Sequence, residues 1–147
     1  MNSSSIDIRW KQRFENYRRA FNLLHEALEN RDIDQYSMLE QEGIIQRFEY
    51  TSELGWKTFK DYLDYSGIKL TEATPRKVIK ECAARGIFTE AKIDGNMYLE
   101  MMLSRNALAH IYDFRKFKEI IVKIKTKYIK ELEKEYTFFL GKDSLDE

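Results

Sequence analysis

Apolar residues recur along this chain at gaps of three and four. Trp10, Phe14, Tyr17, Phe21, Leu24 and Leu28 fall on one side of a helix predicted from about Asp7 to Glu29. The run NRDIDQYS interrupts the pattern with turn and capping residues, and a second stripe follows through Ile45, Phe48, Ser52, Gly55, Phe59 and Tyr62. Ser52 and Gly55 are small enough to let another helix come close. That helix ends near YSGIK, where Gly67 suits the left-handed residue after a helix C-terminus. Thr74 followed by Pro75 marks the start of a short third helix, with the hydroxyl as cap and the ring in the first turn, and Gly86 stops it. Asp94 can cap a fourth helix carrying Met97, Tyr98, Met101, Met102 and Leu108. The last stripe, Phe117, Ile121, Ile124, Tyr128, Leu132 and Phe139, predicts a long fifth helix that Asp113 can cap.

No window alternates with a period of two, so the expected class is all-α. Three long amphipathic helices and a shorter one bury their stripes most simply as an antiparallel, up-and-down four-helix bundle, with the third helix as a small addition. The 147 residues are the length of one domain, residues 1–147. With 43% hydrophobic residues, one Pro and six Gly, the composition excludes disorder. Nine Phe, nine Tyr and two Trp exceed what one slim bundle needs inside, which predicts a homodimer that buries the surplus. No stretch approaches the ~18 to 20 apolar residues that span a bilayer, and MNSSSIDIRW does not read as an export signal, so a cytoplasmic protein is expected. Cys82 is the single cysteine, in keeping with a reducing compartment and a packing role.

Charge changes this picture only locally. Lys plus Arg equals Asp plus Glu at 25 each, so no overall field draws nucleic acid. Glu26 to Glu53 nevertheless holds eight acids against two arginines, and Arg115 to Lys134 holds eight bases against three acids. Two readings are open: solvated helix faces that complement one another, or a basic strip for a polyanion and an acidic strip for a partner protein.

The chemistry concentrates in LSRNALAHIYD, Leu103 to Asp113. On one continuous helix Arg105 and Tyr112 would share a face, and so would Asn106 and His110, but Arg105 and His110 would lie about 140° apart. Either the helix ends before His110, or the two residues meet across a two-fold dimer. Taken singly, each side chain fits a structural role at a helix end. As a set, an imidazole that titrates near neutrality, a guanidinium that forks onto phosphate, an amide and a phenol suit phosphodiester chemistry without a bound metal. His25 has no companion ligand at metal spacing, and the chain lacks a glycine-rich phosphate loop, a nucleophile elbow and a cysteine pair. Neither a metal nor a cofactor is expected.

RNALAHIY resembles the motif of HEPN domains, an Arg followed after four residues by His, with the further Tyr found in HEPN proteins paired with minimal nucleotidyltransferases. IIQRFEYTSELGWKTFKDYL and TPRKVIKECAARGIF resemble the other signature stretches of the nucleotidyltransferase substrate-binding protein family, so the similarity runs from about Trp10 to Tyr136. The resemblance implies a HEPN four-helix bundle, usually dimeric, encoded beside a minimal nucleotidyltransferase that it binds, in a two-gene toxin–antitoxin-like module. It implies a subunit that holds nucleotide or RNA for that transferase, and alternatively a metal-independent ribonuclease toxin silenced by transfer of AMP to its motif tyrosine. The non-catalytic subunit is favoured. Carried over, Arg105 holds phosphate, His110 is the general acid or base, Asn106 orients them, and Tyr112 accepts AMP. Lys123, Lys127 and Lys130 are expected to add to the phosphate surface around Arg105. Ala107, Leu108 and Ala109 stand where relatives often carry polar residues, which favours packing there. Arg47, Glu49, Glu53, Trp56 and Lys57 are candidates for the partner interface, the alternative for the charged ones being staggered ion pairs along a helix worth about 0.2 to 0.5 kcal/mol each.

Overall fold

Polar side chains at the helix starts decide where the chain turns. The computed structural model describes residues 3–29, 31–108 and 113–145, with side chains for 8–29, 31–108, 113 and 115–144. Helix α1 runs Ser3–Leu28 and is followed by a single 3-10 turn, Ile33–Gln35. Ser37 then caps α2, Met38–Tyr65: its hydroxyl accepts from the Glu40 amide while the Glu40 carboxylate accepts from the Ser37 amide. Thr74 caps α3, Pro75–Ala84, through the Lys77 amide, and Gly86, at φ 76°, separates α3 from the short α4, Ile87–Ala91, which the apolar spacing did not predict. Asp94 caps α5, Gly95–Ala107, and Asp113 caps α6, Phe114–Lys123. One wide π-turn, Ile124–Tyr128, joins α6 to α7, Ile129–Leu145. The described residues contain no strand, so the protein is all-α, as expected.

Gly67 does more than stop α2. At φ 84° it lets the Ile68 amide reach the Leu63 carbonyl at 2.8 Å and its own amide reach Asp64 at 3.0 Å, a Schellman closure that folds Ile68 back towards Leu63.

Helix α2 packs along α1 and touches α3, α5, α6 and α7, an arrangement compatible with the expected bundle in which α3 and α4 are additions. Most of the aromatic rings among the described residues pack inside one subunit, with Tyr50 and Tyr65 at its surface. Trp10, Phe14, Tyr17, Phe48, Phe59, Tyr98, Tyr128 and Phe139 are all buried, and Phe59 touches the rings of Phe88, Tyr98, Phe138 and Phe139.

The hydroxyls on the buried stripe of α2 bond back into their own helix: Thr51 to the Arg47 carbonyl, Ser52 to Phe48 and Thr58 to Leu54. Gly55 permits the close approach anticipated for it. A Cβ there would stand 2.9 Å from the Tyr98 hydroxyl, 3.0 Å from a Glu135 oxygen and 3.2 Å from the Tyr17 ring. These groups form a polar centre inside the bundle, with Tyr98 donating to Glu135 at 2.7 Å and Tyr17 to the Leu132 carbonyl at 2.6 Å. Burial pushes the Glu135 carboxyl well above its usual range, keeping it neutral, and pushes the Tyr17 and Tyr98 phenols up as well. Cys82 is fully buried, as its packing role requires, and burial raises its thiol too. The acidic and basic segments meet at one end, where Lys118 lies 3.5 Å from Asp34 and Lys125 bonds the Arg31 carbonyl.

Candidate functional site

Helix α5 carries the candidate chemistry, and its ends and buried face fix where it sits. Asp94 accepts from the Asn96 and Met97 amides, while its own amide donates to Glu131 on α7 at 2.8 Å. Tyr98, Met101 and Met102 are buried on one side of the helix. Ser104 meets the Tyr128 hydroxyl at 2.8 Å, and Tyr128 donates to Glu100 at 2.9 Å, so two residues of α5 grip the π-turn. Sequence periodicity places Tyr128 in the core but does not show this three-member chain.

One position further on, Arg105 turns towards α2. Its Nη2 lies 2.9 Å from Oε2 of Glu53, and its Nη1 donates to Oδ1 of Asn106 at 3.2 Å. Glu53 is a shared acceptor: Oε2 also takes the Trp56 indole N–H at 3.1 Å, and Oε1 lies 3.2 Å from the Lys57 ammonium. Burial alone would raise the Glu53 carboxyl, but the bonds from Trp56 and Lys57 and the charge of Arg105 outweigh it and hold the group below its usual range. The Arg105 side chain is 29% exposed, and its Nε is buried without a hydrogen-bond partner among the described residues.

The arrangement is thus a guanidinium at the surface, held on one edge by a carboxylate and an amide. Chemically it can take a phosphate or carboxylate from solvent, because the fork offers more donors than Glu53 and Asn106 consume. Any such anion competes with Glu53 for it. Two stretches that sequence reasoning assigned to separate roles, Glu53–Trp56–Lys57 and Arg105–Asn106, are here one cluster.

The other expected residues distribute as follows. His110 and Tyr112 lie outside the described residues. Helix α5 ends at Ala107, with the Leu108 amide bonded to the Arg105 carbonyl, and the choice between the two geometries considered for Arg105 and His110 falls outside the described residues. Lys123, Lys127 and Lys130 are exposed beside the π-turn, and what joins this segment to α5 is Tyr128. Arg47 donates to the Leu23 carbonyl of α1 at 2.8 Å, Glu49 is half-buried, and the Trp56 ring is buried with only its N–H turned to Glu53. His25 pairs with Glu29 on α1 at 3.0 Å. Among the described residues no group of His, Cys, Asp and Glu is arranged to hold a metal ion, and no helix is long and apolar enough to cross a membrane.

Comparison with known proteins extends these observations. No curated protein matches the chain. The family described as nucleotidyltransferase substrate binding protein like matches residues 12–140, a span that contains α2, α3, α5 and the Glu53–Arg105 contact. The chain belongs to this nucleotidyltransferase substrate-binding family.

Proposed function

We propose that this protein is the HEPN-type partner subunit of a minimal nucleotidyltransferase encoded nearby, holding nucleotide or RNA for it at Arg105 as part of a two-gene, toxin–antitoxin-like module in the cytoplasm. The observation that carries the reading is the convergence of Arg105 and Asn106 with Glu53 and Lys57, which sets a phosphate-binding fork within a charged, partly exposed cluster. Exposed Lys123, Lys127 and Lys130 extend the positive surface available to a polynucleotide. Arg47, Glu49 and the outer face of α2 offer the transferase a polar surface, and Leu39, 78% exposed at the start of the same helix, offers it an apolar one. In this reading the subunit works as a homodimer.

The test is to mix the protein with the neighbouring transferase, follow co-elution, and titrate both with fluorescein-labelled single-stranded RNA. Co-elution is expected, with RNA affinity falling about tenfold in Arg105→Ala, the loss of one charge-assisted contact. Wild-type and Arg105→Ala proteins binding RNA equally would remove the proposed site.

A second reading is RNA cleavage with Arg105 on phosphate, His110 as general acid or base and Tyr112 as AMP acceptor; the partly exposed Arg105 fork near the end of α5 supports it. His110→Ala should then lower cleavage by ~10²-fold or more. Equal degradation of RNA by both forms would defeat this reading, and an unchanged mass after incubation with active transferase and ATP would defeat the role of Tyr112.

A further inference from the structure

Away from Arg105, at the C-terminal end of α2, the chain builds a cleft of about 310 Å³. Its floor is apolar: Leu63 from the last turns of α2, and Ile68, Leu70 and Ala73 from the connection to α3. The Schellman closure at Gly67 fixes that floor by tying the Ile68 amide to the Leu63 carbonyl. Backbone hydrogen bonds thus hold the Leu63–Ile68 part of the floor in place.

The rim has the opposite character. Arg9 of α1, Lys60 of α2 and Lys69 of the connection surround the opening, with Asp64 the one carboxylate among the lining residues. Lys60 is partly spoken for, lying 3.7 Å from Asp64 and 3.9 Å from Asp61. Asp61 is itself buried and taken by Arg13 at 3.0 Å, so it does not cancel the rim from below. Arg9 and Lys69 are exposed and have no ion pair among the described residues. A chain of zero net charge thus collects a local positive excess over an apolar hollow whose volume sits at the small end of ligand sites.

We propose that this cleft binds a small amphiphilic organic anion: one acid group, phosphate or carboxylate, between Arg9 and Lys69, on a compact apolar body seated against Leu63, Ile68 and Leu70. The two halves of the cleft ask for the two halves of such a ligand. A bare inorganic anion leaves the floor in water, and a neutral apolar molecule leaves both cations unanswered. The inference is independent of the partner role proposed above, because it uses none of the residues around Arg105.

The probe is phenyl phosphate, titrated into the full chain labelled with ¹⁵N and followed by amide NMR, with benzoate in parallel to separate a tetrahedral from a planar acid group. Saturable shifts are expected at Gly67, Ile68, Lys69 and Leu70 for one or both probes, with inorganic phosphate and benzyl alcohol each binding at least about tenfold more weakly. The surface double variant Arg9→Glu with Lys69→Glu should weaken the probe by about tenfold or more. Ala73→Trp, which fills the hollow, should abolish the shifts; an unaltered circular dichroism melt identifies each variant as folded, and the double variant alone decides if the Trp form is not. The inference is overturned if neither probe produces saturable shifts at these amides, if charge reversal leaves binding unchanged, or if benzyl alcohol binds as well as the anions.

Discussion

Replacing Gly55 with Ala sets two effects of opposite sign against each other, and the structure decides between them. In a helix interior the change ordinarily stabilises by about 1 kcal/mol, since glycine is the poorer helix former. At Gly55 the new methyl would stand 2.9 Å from the Tyr98 hydroxyl, 3.0 Å from Glu135 and 3.2 Å from the Tyr17 ring. All three neighbours are fully buried and come from three different helices, so none can swing into solvent. Overpacking of this kind costs about 1 to 3 kcal/mol. Pushing Tyr98 off Glu135 leaves a buried donor and acceptor without each other, which costs about 1 to 3 kcal/mol more. The net expectation is a loss of about 1 to 5 kcal/mol, at roughly 2 to 4 °C of Tm for each kcal/mol in a domain of this size. Gly43 lies in the same helix with nothing within 4 Å of its Cβ position, so Gly43→Ala should stabilise by about 0.5 to 1 kcal/mol. Urea titrations of both variants, followed by circular dichroism and by tryptophan emission, separate the terms. A Gly55→Ala midpoint at or above wild type, beside a normally stabilised Gly43→Ala, would refute the close packing at the polar centre.

Three further outcomes follow from the same contacts. The raised Glu135 carboxyl is protonated when folded and ionised when unfolded above about pH 4.5, its unperturbed value, so the native state binds the extra proton and stability falls as pH rises from there; Glu135→Gln should remove that slope, at most ~1.36 kcal/mol per pH unit, and parallel urea midpoints for the two proteins from pH 5 to 8 would contradict it. Glu53→Gln removes the charge that competes for Arg105 and should tighten RNA binding several-fold at low salt, with the gain shrinking as salt is added; weaker binding in an anisotropy titration would show that Glu53 positions the guanidinium rather than opposing its ligand. Asp94→Ala deletes a cap that receives two amides and should cost about 0.5 to 2 kcal/mol, while Asp94→Ser should recover most of it in thermal melts.

Much of the fold was legible because each boundary carries its own signal. Thr74–Pro75, Gly67, Gly86, Asp94 and Asp113 act where their side chains or backbone freedom require, and the apolar stripes mark the buried faces of the long helices. The short α4 was missed because five residues do not establish a period. Glu135 was passed over for a different reason. Its spacing from Leu132 and Phe139, three and four residues, puts it on the buried stripe, but a carboxylate there reads as a gap until Tyr98 is seen donating to it from another helix. The surface residues were identifiable by type, whereas their pairing was not, because Arg105 and Glu53 are 52 positions apart and only the packing of α5 on α2 joins them.

That pairing changes what the motif means physically. Read along the chain, Arg105 belongs with Asn106 and His110, and the signature stretch of α2 belongs to a partner. In the folded protein one carboxylate, Glu53, takes bonds or ion pairs from Trp56, Lys57 and Arg105 together. A phosphate arriving at Arg105 therefore enters a network whose acceptor is already filled, and it gains only the difference between its own bonds and those it displaces. Because Trp56 and Lys57 remain to satisfy Glu53 when Arg105 is drawn away, that exchange leaves no bare buried carboxylate behind. In the reading proposed above, binding at this site would therefore be modest and responsive. A protein that covers the outer face of α2 near Lys57 would alter Glu53 directly, and through it the readiness of Arg105 to take a ligand.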